Sequence, residues 1–288
     1  MANSQNSLQF KPEVVYEDEY LLAVDKPAGM VVNEAQTVKG YTLQQWMSEK
    51  LDSEKGMQKT INNKQQWQAL LPKDFKPEFG SPEEIFNNRQ GLVHRLDKDT
   101  SGVLLLAKDP GTLVNLLNQF KQRQIRKKYL CLVHGELRVN SSTIRAPIAR
   151  SSIDKFKFSV AIEGRLATTY YRVTDYYSSL NLTLDSLQKK YIKQYTKSYY
   201  QGFSLLECLP ETGRTHQIRV HLAHIKHPLV SDMIYGGDKR SKLDRLWCPR
   251  QFLHAFQIQF IHPVTGKKIM VEAELAKDLR EVLRLLIK

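Results

Sequence analysis

Apolar positions along this chain fall into short runs with two different spacings. Val103-Leu104-Leu105-Leu106-Ala107 is unbroken, short and punctuated at both ends. Continuity alone does not separate a buried strand from a helix fragment, but the length and the punctuation predict a strand. YLCLVHG, 129–135, predicts another, closed by Gly135. YEDEYLLAVDKPAGMVVN, 16–33, reads as a strand, a turn at Lys26-Pro27-Ala28-Gly29 and a second strand. Pro27 presets its own φ, and Gly29 permits a positive one. The β-branched and aromatic residues of 161–177, the run FSLLECL and the alternation in 252–275 add further strands, the last two around Pro263-Thr265-Gly266. Helical spacing occurs at 40–50, where Leu43, Trp46 and Met47 share a face, and at 109–128. There Asp109 is a candidate cap, Pro110 opens the first turn, and Leu113, Leu116, Leu117 and Phe120 supply an apolar face. Residues 216–225 predict the start of a helix, and 277–288 an amphipathic closing helix.

Polar stretches set the organisation. Residues 1–12 predict a flexible tail; the length suits one or two domains, and 13–288 is read as one. Within it, 51–90 is broken by Pro72, Pro77, Gly80 and Pro82 and predicts an inserted loop with short helical pieces. A second insertion is expected at 182–200, a hairpin extension rich in Lys and Tyr. There is no internal repeat. The sum is an α+β chain with substantial antiparallel sheet.

Composition then narrows the classes. A hydrophobic share of 41% and a charged share of 25% describe an ordinary soluble chain. No run of eighteen apolar residues and no secretory leader are visible, so a cytoplasmic protein is expected. The net charge of +13 favours a polyanionic partner, with nucleic acid ahead of a merely basic enzyme. Cys131, Cys208 and Cys248 lack metal-site spacing and are expected to be reduced core thiols.

Two polar blocks remain. GLVHRLDKDTSG, 91–102, packs His94, Arg95 and Asp97 before the apolar run. It reads either as a surface turn or as an ionised carboxylate held by a basic neighbour, fit to act as nucleophile or base. ETGRTHQIRVHLAHIKHPLVSDMIYGG, 211–237, carries Arg214, His216, Arg219, His221, His224 and His227. No zinc signature fits, so no metal is expected. Arg214 and Arg219 are candidate anion clamps, against the alternative of ordinary surface cations.

Taken together, DEYLLAVDKPAGMVV, GLVHRLDKDTSGVLLLAK, IRKKYLCLVHG, GRLATTYYRV, TGRTHQIRVHLAHIKHPLVSDMIYGG and FLHAFQIQFIHPVTG resemble, in order, the RluA-like family of pseudouridine synthases. The likeness spans roughly residues 13–283. It implies the pseudouridine synthase fold, a mainly antiparallel bent sheet flanked by helices with a central active-site cleft. It implies isomerisation of uridine in structured ribosomal or transfer RNA, without cofactor or metal. Asp97 matches the family's essential aspartate, acting by covalent addition or by taking the sugar 2′ proton; both routes stay open. Tyr129 matches the active-site tyrosine that packs on the base, and Arg219 the arginine that pairs with the aspartate. Arg95 matches a residue that helps rearrange the RNA. Ile218 and Leu222 would wall the pocket, Arg214, His216 and Gln217 would support it or meet phosphate, Lys26 would line the cleft entrance, and His94 would shape the turn beside the substrate.

The chain departs from the pattern in several places, including the long 51–90 spacing and the less proline-rich VEAELAKDL near the C-terminus. Many relatives carry an N-terminal S4-type RNA-binding domain; here the signature starts near residue 13, so none is expected. Where many relatives read Gly-Asp after the HP pair, this chain reads Ser231-Asp232. The rival readings are an RNA-binding or ribosome-associated protein with the fold but no catalysis, and an enzyme on a small nucleotide or sugar. A monomer without obligatory protein partner or membrane contact is the default expectation.

Overall fold

Two apolar runs far apart in sequence become neighbouring strands. β2 (Leu21–Lys26) pairs antiparallel with β3 (Ser101–Ala107), Leu21 facing Ala107 and Lys26 facing Gly102. The computed structural model describes residues 11–53, 64–78, 80–181 and 200–288. The tail and the 182–200 insertion predicted above lie almost wholly outside them. Contacts divide the chain into two compact units, 1–126 with 257–274 and 127–256 with 275–288.

In the first unit β1 (Glu13–Glu17) flanks β2, giving the order β1-β2-β3. All seven residues of β3 are buried, as its unbroken apolar sequence requires. β11 (Leu253–Ile261) enters this unit with its last residues and pairs there with β12 (Lys268–Glu272). The helices are α1 (Leu43–Ser53), α2 (Lys64–Gln68), α3 (Pro82–Arg89) and α4 (Pro110–Lys121). Asp109 caps α4 as predicted: its carboxylate accepts from the Thr112 N–H at 2.8 Å and from the Thr112 hydroxyl at 2.6 Å. Ser81 and Glu84 form a reciprocal capping box on α3. The described residues of 51–90 thus include two short helices, Lys64–Gln68 and Pro82–Arg89.

The second unit is built on β4 (Arg126–His134), β5 (Ser141–Arg145), β8 (Thr168–Tyr177) and β10 (Phe203–Pro210), in the antiparallel order β4-β10-β8-β5. β6 (Ile148–Arg150) and β7 (Phe158–Val160) form a separate hairpin, and β9 (Ser179–Leu180) pairs with β13 (Leu286–Ile287). Its helices are α5 (Gln217–His224), α6 (Asp238–Asp244) and α7 (Lys277–Arg284). Leu279 and Val282 of α7 join Leu132, Phe203, Val230, Trp247 and Phe252 in one core. The fold is mixed α+β with mainly antiparallel sheet, the predicted class.

Two predicted boundaries shift, each for a local reason. Residues 30–33 are not a strand. The carbonyls of Val31 and Val32 instead accept from the Leu43 and Gln44 N–H groups, satisfying the open amides at the start of α1. The helix predicted over 109–128 stops at Lys121, because Arg123 turns left-handed at φ 57°. Arg126, Lys127 and Lys128 therefore begin β4 rather than ending a helix.

Candidate active site

The aspartate motif sits in the first unit, in the loop that feeds β3. Its start needs a glycine: Gly91 has φ 75°, and a Cβ there would lie 2.2 Å from the Ala107 carbonyl oxygen. In return the Gly91 carbonyl accepts from the Ala107 N–H at 2.8 Å. His94 is used internally. Its Nε2 accepts from the Leu105 N–H at 3.0 Å, and its ring packs on Phe120 with centroids 4.9 Å apart. That bond requires an unprotonated Nε2.

Past Asp97 the loop is gripped again. The Lys98 carbonyl accepts from the Gly29 N–H at 2.8 Å and from Lys26 Nζ at 3.1 Å. Lys26 is fully buried and also donates to the carbonyls of Pro27, 2.8 Å, and Met30, 2.9 Å. Three carbonyl oxygens thus solvate a buried ammonium. A side chain expected to line the cleft entrance ties the Pro27–Met30 turn to the aspartate loop. Asp97 itself is half-buried, its carbonyl closing a turn with the Thr100 N–H, and Arg95 is exposed. The carboxylate rides on a mount fixed on both sides, which limits the reorganisation needed during reaction.

The second unit holds the other candidates. Tyr129 is buried on β4, with Cys208 of β10 opposite it. Arg219 is buried on α5. Its Nε donates to one oxygen of the fully buried Asp232 at 2.8 Å, and its Nη2 to the other at 2.9 Å. The same carboxylate accepts from the N–H groups of Ile234 and Tyr235. The Tyr235 ring lies 5.1 Å from the guanidinium carbon, and its hydroxyl contacts His216 Nδ1 at 2.9 Å. The resemblance pairs Arg219 with the reacting aspartate; within its own unit the carboxylate that orients it is Asp232. Sequence reasoning noted Asp232 as retained but gave it no task. Gln217 is likewise fully engaged: its amide oxygen accepts from Thr212 Oγ1 and the Arg214 N–H, and its nitrogen donates to the Thr168 carbonyl and Thr169 Oγ1. It fixes the 212–217 loop. Arg214 Nε donates to the Leu166 carbonyl at 3.3 Å, and Ile218 and Leu222 are buried. Burial holds His221 below its ordinary pKa, and the ring meets Thr169 Oγ1 and the Ala146 carbonyl, so it is a neutral core histidine. Among the described residues no group of three or more His, Cys, Asp or Glu is arranged to hold a metal.

The Ser231-Asp232 departure has a local explanation. Ser231 is buried with φ 62°, a conformation that favours glycine. Its hydroxyl donates to the Cys248 carbonyl at 2.7 Å, and its N–H to Asp244 Oδ2 at 2.9 Å. The extra hydrogen bond offsets the strain. Ser231→Ala keeps the strain and strands the carbonyl, so it should cost about 1–2 kcal/mol in denaturant unfolding. Ser231→Gly should be about 1 kcal/mol less harmful, since it relieves the left-handed backbone. An alanine variant as stable as the parent would contradict this.

Lys127, two residues before Tyr129, donates to the Thr212 carbonyl at 3.4 Å, and burial pulls its ammonium down to about 8. Between that value and the ordinary 10.5 the native state binds fewer protons than the unfolded chain, so this group's contribution to stability rises with pH across that window. Lys127→Met should therefore raise the thermal midpoint at pH 7 by about 2–4 °C, with the advantage shrinking as pH rises through the window. An advantage that grows with pH would contradict the assignment.

A fixed carboxylate loop, a buried oriented arginine and a strongly basic chain define a class: an α+β enzyme for a polyanionic substrate. Comparison with known proteins makes the class specific. Residues 20–224 match the family described as RNA pseudouridylate synthase. The ribosomal large subunit pseudouridine synthase D of Xanthomonas campestris pv. campestris is 34% identical over 278 residues, covering 94% of this chain and 68% of that protein. The ribosomal large subunit pseudouridine synthase C of Buchnera aphidicola is 33% identical over 289 residues, covering 99% of this chain and 74% of that one. Among solved structures, human RNA pseudouridylate synthase domain containing 4 superposes with a TM-score of 0.59 at 19% identity, covering 94% of this chain and 92% of its own. Human RNA pseudouridylate synthase domain containing 1 gives 0.56 at 20% identity, covering 91% of this chain and 83% of its own. The chain belongs to the RluA-like family of RNA pseudouridine synthases. It isomerises uridine in structured RNA.

Proposed function

We propose that the substrate is large-subunit ribosomal RNA and that Asp97 is the reacting carboxylate. The observation that carries the second part is the doubly clamped loop on which Asp97 is presented. The first part is supported by relatives whose names specify the ribosomal large subunit. A uridine in folded RNA is reached by leaving the stack, which costs a few kcal/mol. Tyr129 offers a ring against the displaced base, and Arg95, exposed beside Asp97, occupies the vacated space. The reaction breaks C1′–N1, turns the base and forms C1′–C5. The C5 hydrogen leaves as a proton, and N1 gains one. Ionised Asp97 serves either route, adding to C1′ or taking the 2′ proton to give a glycal. Arg219, oriented by Asp232, sets the charge environment of the reaction. The enzyme works as a monomer, without an obligatory protein partner.

Loss of the C5 hydrogen supplies the test. With transcripts carrying C5-tritiated uridine, tritium should be released from large-subunit ribosomal RNA and not from free UMP. Release from transfer RNA alone, or from UMP, would overturn the substrate assignment.

A further inference from the structure

Exposed apolar side chains gather in one stretch of the second unit. Ile153 is 96% exposed, Phe156 86%, Ile162 98% and Leu166 74%, the highest values among the large hydrophobics described. Scattered exposed apolar residues are ordinary; four within fourteen positions mark a surface made for contact.

The two loops that carry them are held by internal hydrogen bonds. Between β6 and β7, Ser151 Oγ accepts from the Ile153 and Asp154 N–H groups, and Asp154 Oδ1 from the Phe156 N–H at 2.9 Å. The Ser151 N–H donates to the Lys157 carbonyl, and the Lys157 N–H to the Asp154 carbonyl. The 161–166 turn is fastened to the base of the same hairpin by reciprocal Ile148–Arg165 backbone bonds of 3.0 and 2.9 Å. Gly164 permits that approach, since a Cβ would fall 2.6 Å from the Ile148 carbonyl carbon. A loop held in place before binding loses less entropy on contact than a mobile one.

Charge and continuity select the occupant. From 145 to 165 the chain carries Arg145, Arg150, Lys155, Lys157 and Arg165 against Asp154 and Glu163. The hairpin is also joined to the functional block: the Phe158 N–H donates to the Tyr235 hydroxyl at 3.0 Å, and the Tyr235 ring covers Arg219. Arg214 reaches the Leu166 carbonyl from the same block. We infer that the β6–β7 hairpin and the 161–166 turn are a docking surface for the substrate RNA, with Phe156 and Ile153 packing on unpaired bases and Lys155 and Lys157 meeting phosphates. This rests on the RNA-isomerase reading and adds where the RNA outside the reacting nucleotide is held.

The test uses the full-length enzyme and an in vitro transcript of large-subunit ribosomal RNA, with affinity measured between 50 and 200 mM salt. Ile153→Ser/Phe156→Ser should weaken binding on the order of tenfold with an unchanged salt slope. Lys155→Ser/Lys157→Ser should weaken it and reduce the slope by about one to two. Thermal midpoints should match the parent, because all four side chains are exposed. Parent-like affinity of both variants overturns the inference. So does a parent protein that self-associates through this surface and becomes monomeric in the Ile153/Phe156 variant. Tritium release separates the two levels: release by the parent with unaltered hairpin-variant binding sinks only the docking surface, and weakened variant binding without release by the parent sinks only the proposal that this ribosomal RNA is the substrate.

Discussion

Asp97→Asn should reduce pseudouridine formation by at least about a thousandfold while RNA affinity stays within a few-fold of the parent. The amide is nearly isosteric, so the mount survives. Gly91, His94 and the Lys98 carbonyl act through groups that the substitution does not touch, and the Asp97 carbonyl still accepts from the Thr100 N–H. What disappears is the anion. An amide neither adds to C1′ nor removes the 2′ proton, so both routes stop at the same step. Matched melting curves with lost tritium release would place the defect in chemistry. Turnover equal to the parent's would remove Asp97 from the reaction.

Asp232→Ala should produce the largest loss of stability. It removes the buried carboxylate that pairs with Arg219, which is 5% exposed, and takes an acceptor from two backbone donors at Ile234 and Tyr235. Breaking a buried pair from one side costs about 3–5 kcal/mol, a fall in thermal midpoint of roughly 10 °C. Turnover should fall at least about tenfold, because Arg219 loses the carboxylate that aims it. Arg219→Met/Asp232→Leu separates the two effects. Removing both charges should restore much of the stability and leave turnover low. If the double variant regains turnover, Arg219 has no part in the reaction.

Local signals made much of the fold legible. β3 followed from five consecutive apolar residues, and α4 from the Asp109-Pro110 start. Ordered blocks likewise brought Asp97, Tyr129 and Arg219 out as candidates. What sequence missed depends on contacts between distant positions. Lys26 is expected to line the cleft entrance, yet three carbonyls from two segments surround its buried ammonium. His94 reads as a turn-shaping residue, but nothing local in the sequence shows that its ring nitrogen accepts from the Leu105 amide eleven residues on. Asp232 lies thirteen residues from Arg219, a spacing with no helical or strand periodicity to advertise the pair. The end of α4 is not legible in the sequence because its stop signal is a left-handed arginine, and arginine carries no expectation of that conformation. Helix-favouring basic residues then continued the pattern into what is β4.

The central claim is tested most directly by mapping pseudouridine across all RNA in cells that have or lack this gene, with rescue by the parent sequence or by Asp97→Asn. A defined set of large-subunit ribosomal RNA sites should vanish with the gene and return with the parent sequence but not with the asparagine variant. Sites that persist without the gene, or that Asp97→Asn restores, would contradict the account.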